Sequence, residues 1–377
     1  MSQLAVYIHW PYCARICPYC DFNVYKQKRD DALLGAILED LKAWRARSGE
    51  REIVSIHFGG GTPSLMSERD MGAAVQMVDA LWGVTGETEI AVEANPGDAD
   101  AARWRGYRAA GINRLSLGVQ SFDDSVLKRL GRDHDGVGAK AALALALEIF
   151  PNVSADIIFG HIGQSAAHLR AELKTLLSCA PHHISAYQLT IEEGTAFARA
   201  ESRGQGRAVD SDTSADLYEL ACRTLAEAGY DAYEVSNHAK PGYRSRHNLA
   251  YWQGGDYVGV GPGAHGRLTA GGMRHATVAA KRPDDYAARV AETGSGLKVN
   301  EPLSRADHAS EYLMMGLRIT DGISLITYED YAGAPLPKAR LTALESMGLI
   351  KLTGERLRAT TAGRLVLNTV SSKLLGV

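Results

Sequence analysis

The sequence predicts an α/β protein, a partial, open (βα)6 barrel followed by a winged-helix-like α+β domain. Three observations carry this. In the first half of the chain six short β-type runs each precede a helical stretch, and strands alternating with helices predict a parallel sheet with right-handed crossovers. Six such units fall two short of a closed eight-fold barrel, and the unusual residue groups sit at the C-terminal ends of the runs, where reactive residues gather in such folds. Toward the C-terminus the order changes to helix, helix, two-stranded wing.

The elements follow in order. Residues 4–9 alternate and end at a cysteine cluster; a helix over 31–47 carries Leu33, Leu34, Ile37, Leu38, Leu41 and Trp44 at amphipathic spacing. The second run, 53–58, leads into Gly59-Gly60-Gly61-Thr62-Pro63, and a helix over 71–81 follows. The third, 89–93, stops at Asn95-Pro96, with a helix over 98–110 and Asp98 at its N-cap. The fourth, 114–119, precedes Gln120, and Asp123 caps a helix over 123–130 before another over 138–149. The fifth, 153–159, precedes a helix over 166–177, and the sixth covers 183–189. A long helix over 211–228 and a strand over 230–236 come next, then a stretch over 240–266 rich in glycine, aromatics and histidine. Helices over 311–317 and 336–347, a hairpin over 349–353 and 356–360, and a helix from Thr361 complete the winged pattern. The expected domains are a barrel over 1–230, an extension over 231–303 and the winged-helix-like unit over 304–377.

Composition narrows the function. The 377 residues carry a formal net charge of −3, so no large nucleic-acid footprint is expected, and the winged unit reads as a packing domain. No apolar run reaches the ~18–20 residues of a membrane span, and the N-terminus lacks the basic and apolar regions of a secretory signal. Five cysteines, an odd number with three inside eight residues, do not form a disulfide framework. A cytosolic protein with a metal or redox cluster is expected.

Cys13, Cys17 and Cys20 form a C-x3-C-x2-C loop. Three thiolates on one loop suit three corners of a cubane cluster and leave the fourth iron open to a substrate or cofactor. Structural zinc wants four ligands, and His9 nearby keeps that reading open by count. Cys179 and Cys222, alone in apolar helices, read as core thiols. The loop lies at the end of the first strand with Tyr19 before its last cysteine, and in this it resembles the radical S-adenosylmethionine (radical SAM) proteins, whose partial barrel is similar to the one expected here. Gly59-Gly60-Gly61-Thr62-Pro63 looks like that family's second-strand motif, in which glycines let backbone groups approach a ligand.

The resemblance covers essentially the whole chain. It is closest to the branch containing oxygen-independent coproporphyrinogen dehydrogenases and HemW-type heme chaperones, on Tyr7-Ile8-His9-Trp10-Pro11-Tyr12-Cys13, Cys20-Asp21-Phe22, Glu93-Ala94-Asn95-Pro96 and Gly118-Val119-Gln120. It implies a [4Fe-4S] cluster on the three cysteines. It also implies an S-adenosylmethionine site drawn from Tyr7, His9, Tyr19, Gly60, Gly61, Thr62, Glu93, Gln120, Arg132, Asp156 and Ala186. The chemistry agrees: an arginine pairs with a carboxylate, and Glu93, Asp156 and Gln120 accept from an ammonium or ribose hydroxyls.

Two departures separate this chain from the dehydrogenases of the branch. They carry a further cysteine where Phe22 stands, and a longer N-terminal extension where only twelve residues precede Cys13. His247-Asn248-Leu249-Ala250-Tyr251-Trp252 resembles the H-N-x-x-Y-W segment associated with heme binding in HemW proteins. Neutral imidazole ligates heme iron, and Tyr251 and Trp252 suit a porphyrin face. The leading expectation is therefore a chaperone that carries heme b to apo-hemoproteins in the cytoplasm. A homodimer through the cluster region and transient membrane contact stay open. The alternatives are oxidative decarboxylation of coproporphyrinogen III and a zinc-stabilised barrel without a cluster.

Overall fold

The computed structural model describes residues 2–26 and 31–376. Six strands run in sequence order across its centre: β1 (Gln3–Trp10), β2 (Glu52–Gly60), β3 (Glu89–Ala94), β4 (Arg114–Gln120), β5 (Asn152–Phe159) and β6 (His183–Gln188). Each is hydrogen-bonded in parallel to the next. The crossovers carry α1 (Asp31–Ser48), α2 (Glu68–Trp82), α3 (Ala101–Ala109), α4 (Asp124–Arg129), α5 (Gly136–Ile149) and α6 (Ala166–Ser178). The expected (βα)6 order is what the structure has.

Strand alternation sorts the side chains into two layers. Val6, Ile8, Ile56, Phe58, Val92, Leu115, Leu117 and Ile157 are buried in one apolar cluster with Ile37, Leu41, Trp44, Val78, Leu143 and Leu173 of the helices. The alternate positions are polar, and the parallel register sets Tyr7 beside His57, Glu93 beside Ser116, and Asp156 beside Ser185. One face of each strand thus makes the core and the other makes the interior wall.

Differences from the sequence reading lie mostly after β6. α7 (Ala196–Glu201) was not anticipated, while α8 (Ser211–Glu227) matches the expected long helix. The strand expected over 230–236 is two short antiparallel pieces, β7 (Asp231–Ala232) and β8 (Asn237–Ala239). Glu234 makes the break by accepting from Ser236 N at 2.7 Å and Asn237 Nδ2 at 2.6 Å. The glycine-rich stretch holds α9 (Arg246–Trp252) and β9 (Tyr257–Val260), which pairs in parallel with β1. Next come β10 (His265–Ala270), β11 (Met273–Ala279), α10 (Pro283–Thr293) and β12 (Leu297–Pro302). The sheet therefore has twelve strands in the order β12-β11-β10-β9-β1-β2-β3-β4-β5-β6-β8-β7 and does not close. Buried Asp256 fixes the entry of β9: it accepts from Arg51 and Arg274 at 2.9 Å each, and from Thr269 N and Oγ1. Removing one partner of such a buried pair typically costs about 3–5 kcal/mol. Asp98 also departs from expectation. It closes a 3-10 turn over Pro96–Asp98, and Asp100 caps α3 by accepting from Arg103 N.

The C-terminal unit comprises α11 (Arg305–Gly316), β13 (Ile323–Ser324), α12 (Leu325–Ala332), α13 (Lys338–Ser346), β14 (Ile350–Thr353), β15 (Arg356–Ala359), α14 (Thr361–Leu365) and α15 (Leu367–Leu375). Its strands form a separate sheet, β13-β15-β14, over a core of its own that includes Leu313, Ile323, Leu344, Leu357 and Val370. This is the expected winged-helix-like arrangement, with β13 and α12 added. Arg318 ties it to α9 by lying over the Trp252 ring at 4.7 Å. No helix among the described residues is long and apolar enough to cross a membrane.

Candidate functional site

The C-terminal ends of β2 to β6 and the cysteine loop enclose one cavity of about 370 Å³, within the ~300–1,000 Å³ range of small-molecule sites. Its wall includes Cys13, Cys17, Tyr19, Cys20, Gly60, Gly61, Thr62, Glu93, Gln120, Arg132 and Asp156. Eleven residues singled out from the sequence, spread over some 140 positions, thus meet on one surface.

The cysteine loop leaves β1 and is anchored at both ends. Thr62 N donates to Tyr12 O at 2.8 Å and Gly61 N to Trp10 O at 2.7 Å. Beyond the cysteines, Asn23 Nδ2 donates to Pro262 O at 2.9 Å and Lys281 O at 2.8 Å. Cys13 is buried, and Cys17 and Cys20 are half-buried. Thr62 Oγ1 donates to Cys13 Sγ at 3.5 Å, and Arg132 Nη1 to Cys17 Sγ at 3.3 Å. Burial pushes the Cys13 thiol up, and pushes Cys20 up to about 11. A cationic partner is what would hold such sulfurs as thiolates. The donor set fits an iron–sulfur cluster, with hydrogen-bond donors already aimed at two of the three sulfurs.

Away from the cysteines the wall presents carboxylate and amide oxygens and the Arg132 guanidinium. Asp156 is half-buried between Ser116 and Ser154, whose hydroxyls donate to it at 2.9 and 3.1 Å. Burial pushes its carboxyl up, these serine hydrogen bonds oppose that, and the nearby Glu93 charge adds to it. Glu93 accepts from Gly60 N at 3.3 Å and from His57 Nε2 at 3.0 Å. Arg132 also donates to Asn95 Oδ1 and to Gly118 O at 3.1 Å, and its Nε is buried with no partner among the described residues. Gln120 ends β4 at φ +62, a left-handed conformation rare for a non-glycine residue, just past a register shift. Strain of this kind typically costs ~1–3 kcal/mol and clusters at functional sites. These groups suit a ligand carrying an ammonium, a carboxylate and sugar hydroxyls.

Other expected residues lie behind the wall. His9 Nε2 donates to Asn23 O at 3.0 Å, which leaves Nδ1 to accept from Tyr7 OH at 3.1 Å. Burial pushes the His9 imidazole down, in keeping with that neutral tautomer. Both nitrogens are engaged, so His9 is not free as a fourth zinc ligand. The ring stands against Gly60, where a Cβ would lie 2.5 Å from it. The space a side chain would need at Gly60 is filled by the protein's own histidine, while Gly60 itself lines the cavity. Ala186 turns its side chain into the apolar core and donates its N–H to Ser236 O at 2.8 Å.

The structure does not bring His247, Tyr251 and Trp252 to the cavity. His247 is 6% exposed. Its ring stacks on His57 at 4.5 Å, and its Nδ1 meets Ser55 Oγ at 3.3 Å. Burial and the neighbouring His57 push its imidazole well below the usual range. Residues not singled out from the sequence complete the site. His57 orients Glu93, Asn95 holds Arg132, and Ser116 and Ser154 hold Asp156. The polar alternation Ser55, His57 within an otherwise apolar strand was the available signal for the first. At the mouth, Phe22 is 61% exposed and Ile16 45%, an apolar rim beside Cys20 and Cys17.

Comparisons with known proteins bear on the family and the fold. Residues 7–176 match the model of the radical SAM superfamily, and residues 303–366 that of the HemN C-terminal domain. The chain is 38% identical to the radical S-adenosyl methionine domain-containing protein 1, mitochondrial, of Bos taurus, covering 99% of this chain and 88% of that protein. It is 35% identical to the heme chaperone HemW of Escherichia coli over 98% of this chain and 97% of the relative, and 34% identical to that of Bacillus subtilis over 99% of both. In fold it is similar to coproporphyrinogen III oxidase (HemN) from Escherichia coli, with a TM-score of 0.82 at 21% identity over 99% of this chain and 90% of that one.

Proposed function

The chain belongs to the radical SAM superfamily, in the family of the HemW heme chaperones, and on that premise we propose that it binds heme b and delivers it to apo-hemoproteins. The observation that carries this reading is the likeness along the whole chain to relatives named heme chaperones. Phe22 supports it: the dehydrogenases of the branch carry a cysteine there, and here the position is an exposed aromatic at the cavity mouth.

Cys13, Cys17 and Cys20 would hold a [4Fe-4S] cluster, and the acceptor wall S-adenosylmethionine. Together, when bound, these groups supply one-electron chemistry. The chain's own residues bind and orient. Thr62 and Arg132 donate to the Cys13 and Cys17 sulfurs, which favours their anionic form. Glu93 offers its carboxylate to an ammonium, and Asp156 and Gln120 offer acceptors to ribose hydroxyls. Arg132 places a positive charge where a carboxylate would lie. Ile16 and Phe22 offer an apolar rim to the edge of a tetrapyrrole. Ligation of heme iron by His247 requires α9 to turn its buried ring outward, exposing Tyr251 and Trp252 with it.

In this reading the protein works in the cytoplasm, and its exposed cluster rim is the surface for an acceptor, a second copy or a membrane-bound recipient. The test is anaerobic titration of the cluster-loaded protein with heme, followed by addition of apomyoglobin. Stoichiometric uptake and transfer of heme to apomyoglobin support the reading. Absence of saturable heme uptake refutes it.

A further inference from the structure

Glu93 has two neighbours that face in opposite directions. One side lines the cavity. The other accepts from His57 Nε2 at 3.0 Å. A carboxylate only accepts, so His57 donates there, and its Nδ1 is buried with no partner among the described residues. Among the described residues nothing on the far side of the His57 ring holds it by a hydrogen bond. What holds it is face-to-face stacking, with His247 at 4.5 Å and 13° and with Tyr7 at 6.1 Å and 22°.

His247 is the second residue of α9. The helix is seated on the barrel floor by Glu89, which accepts from His247 N at 3.2 Å and from Ser245 Oγ at 3.3 Å. At its other end Trp252 lies under Arg318 of the C-terminal unit. A continuous set of contacts therefore runs from the cavity wall through Glu93, His57 and His247 to the joint between barrel and C-terminal unit.

We propose that His57 is a positioning residue coupling the ligand seated at Glu93 to the placement of α9. An ammonium or hydroxyl ligand competes with His57 for the Glu93 carboxylate. Gaining that ligand weakens the hydrogen bond that fixes the His57 ring, and the His247 ring stacked on it loses its support. Coupling between two sites is reciprocal, so displacement of α9 changes affinity at Glu93 by the same factor. The inference rests on reading the cavity as the S-adenosylmethionine site.

The experiment is hydrogen exchange of residues 246–252 in the full-length, anaerobically cluster-loaded protein, with and without S-adenosylmethionine, alongside its binding constant. His57→Phe keeps a flat ring for the stack and removes the donor. His57→Gln keeps a donor near Nε2 and removes the stack. In the wild type S-adenosylmethionine raises exchange in 246–252. His57→Phe binds it about 2- to 10-fold more tightly, because the one hydrogen bond that competes for Glu93 is gone, and His57→Gln binds it as the wild type does. Both variants lose the ligand-dependent change in exchange. Binding to the wild type without a change in 246–252 overturns the coupling alone, as does a change retained in either variant. No binding to the wild type overturns the reading of the cavity and the coupling with it.

Discussion

Replacing Gly60 by alanine should unseat the cysteine loop from behind. Gly60 sits at φ +108, and an added Cβ lies 2.5 Å from two atoms of the His9 ring. The ring cannot yield freely, because Asn23 O and Tyr7 OH hold its two nitrogens at 3.0 and 3.1 Å. The backbone contributes about 1–2 kcal/mol of strain, and displacing His9 forfeits two hydrogen bonds at about 1 kcal/mol each. The loss is then about 3–4 kcal/mol, a large part of the ~5–15 kcal/mol that holds a typical fold together. Gly83 is the control. It has φ +84 with nothing within 4 Å of an added Cβ, so Gly83→Ala meets only the backbone cost. Urea unfolding of both variants, monitored by circular dichroism, should show Gly60→Ala weaker than Gly83→Ala by about 2 kcal/mol. Iron content after anaerobic reconstitution should fall in Gly60→Ala alone. Equal losses in the two variants would refute the claim that His9 braces the loop through Gly60.

Further outcomes follow from the same geometry. Serine at Cys13, Cys17 or Cys20 should each reduce reconstituted iron well below the about four atoms per chain of a cubane, whereas serine at Cys179 should leave it unchanged; iron and sulfide assays decide. The folded-state pKa of Asp156 is raised by burial, so between the unfolded value of ~3.9 and the folded one the native state binds more protons. Stability therefore falls as pH rises through that window. Asp156→Asn should flatten the fall while weakening S-adenosylmethionine about tenfold, seen in unfolding curves from pH 4 to 8 and by calorimetry. His247→Ala leaves a hole beside His57 and should cost about 2–4 kcal/mol. His247→Phe keeps the ring, so it should retain most of that stability yet lose heme uptake if the imidazole ligates iron. Heme titration of His247→Phe separates ligation from packing.

The local elements were legible because their signals are local. Leu33, Ile37, Leu41 and Trp44 repeat at helical spacing and are all buried. Asp123, expected as a cap, accepts from Ser125 N and Val126 N. The polar residues at strand ends pointed to one rim because parallel strands bring their C-termini to the same side. What escaped was non-local. β9 joins β1 across some 250 residues, and its Tyr257–Val260 run, only four residues long among glycines, has no period that announces a partner. At Gly60 the sequence shows a glycine that lets backbone approach a ligand, but not that its missing side chain also makes room for the His9 ring, because that depends on its neighbour in space. The H-N-x-x-Y-W motif marks His247 as a candidate heme ligand, but a motif carries chemistry and not burial. Its stack on His57 follows from α9 folding back under the sheet.

The most direct test of the central claim sets two chemistries side by side. The cluster-loaded protein is incubated anaerobically with S-adenosylmethionine, a reductant and coproporphyrinogen III, and in parallel with heme and then apomyoglobin. The account predicts stoichiometric heme uptake and transfer with no multiple-turnover loss of porphyrinogen propionates. Catalytic conversion of coproporphyrinogen, without saturable heme binding, would contradict it.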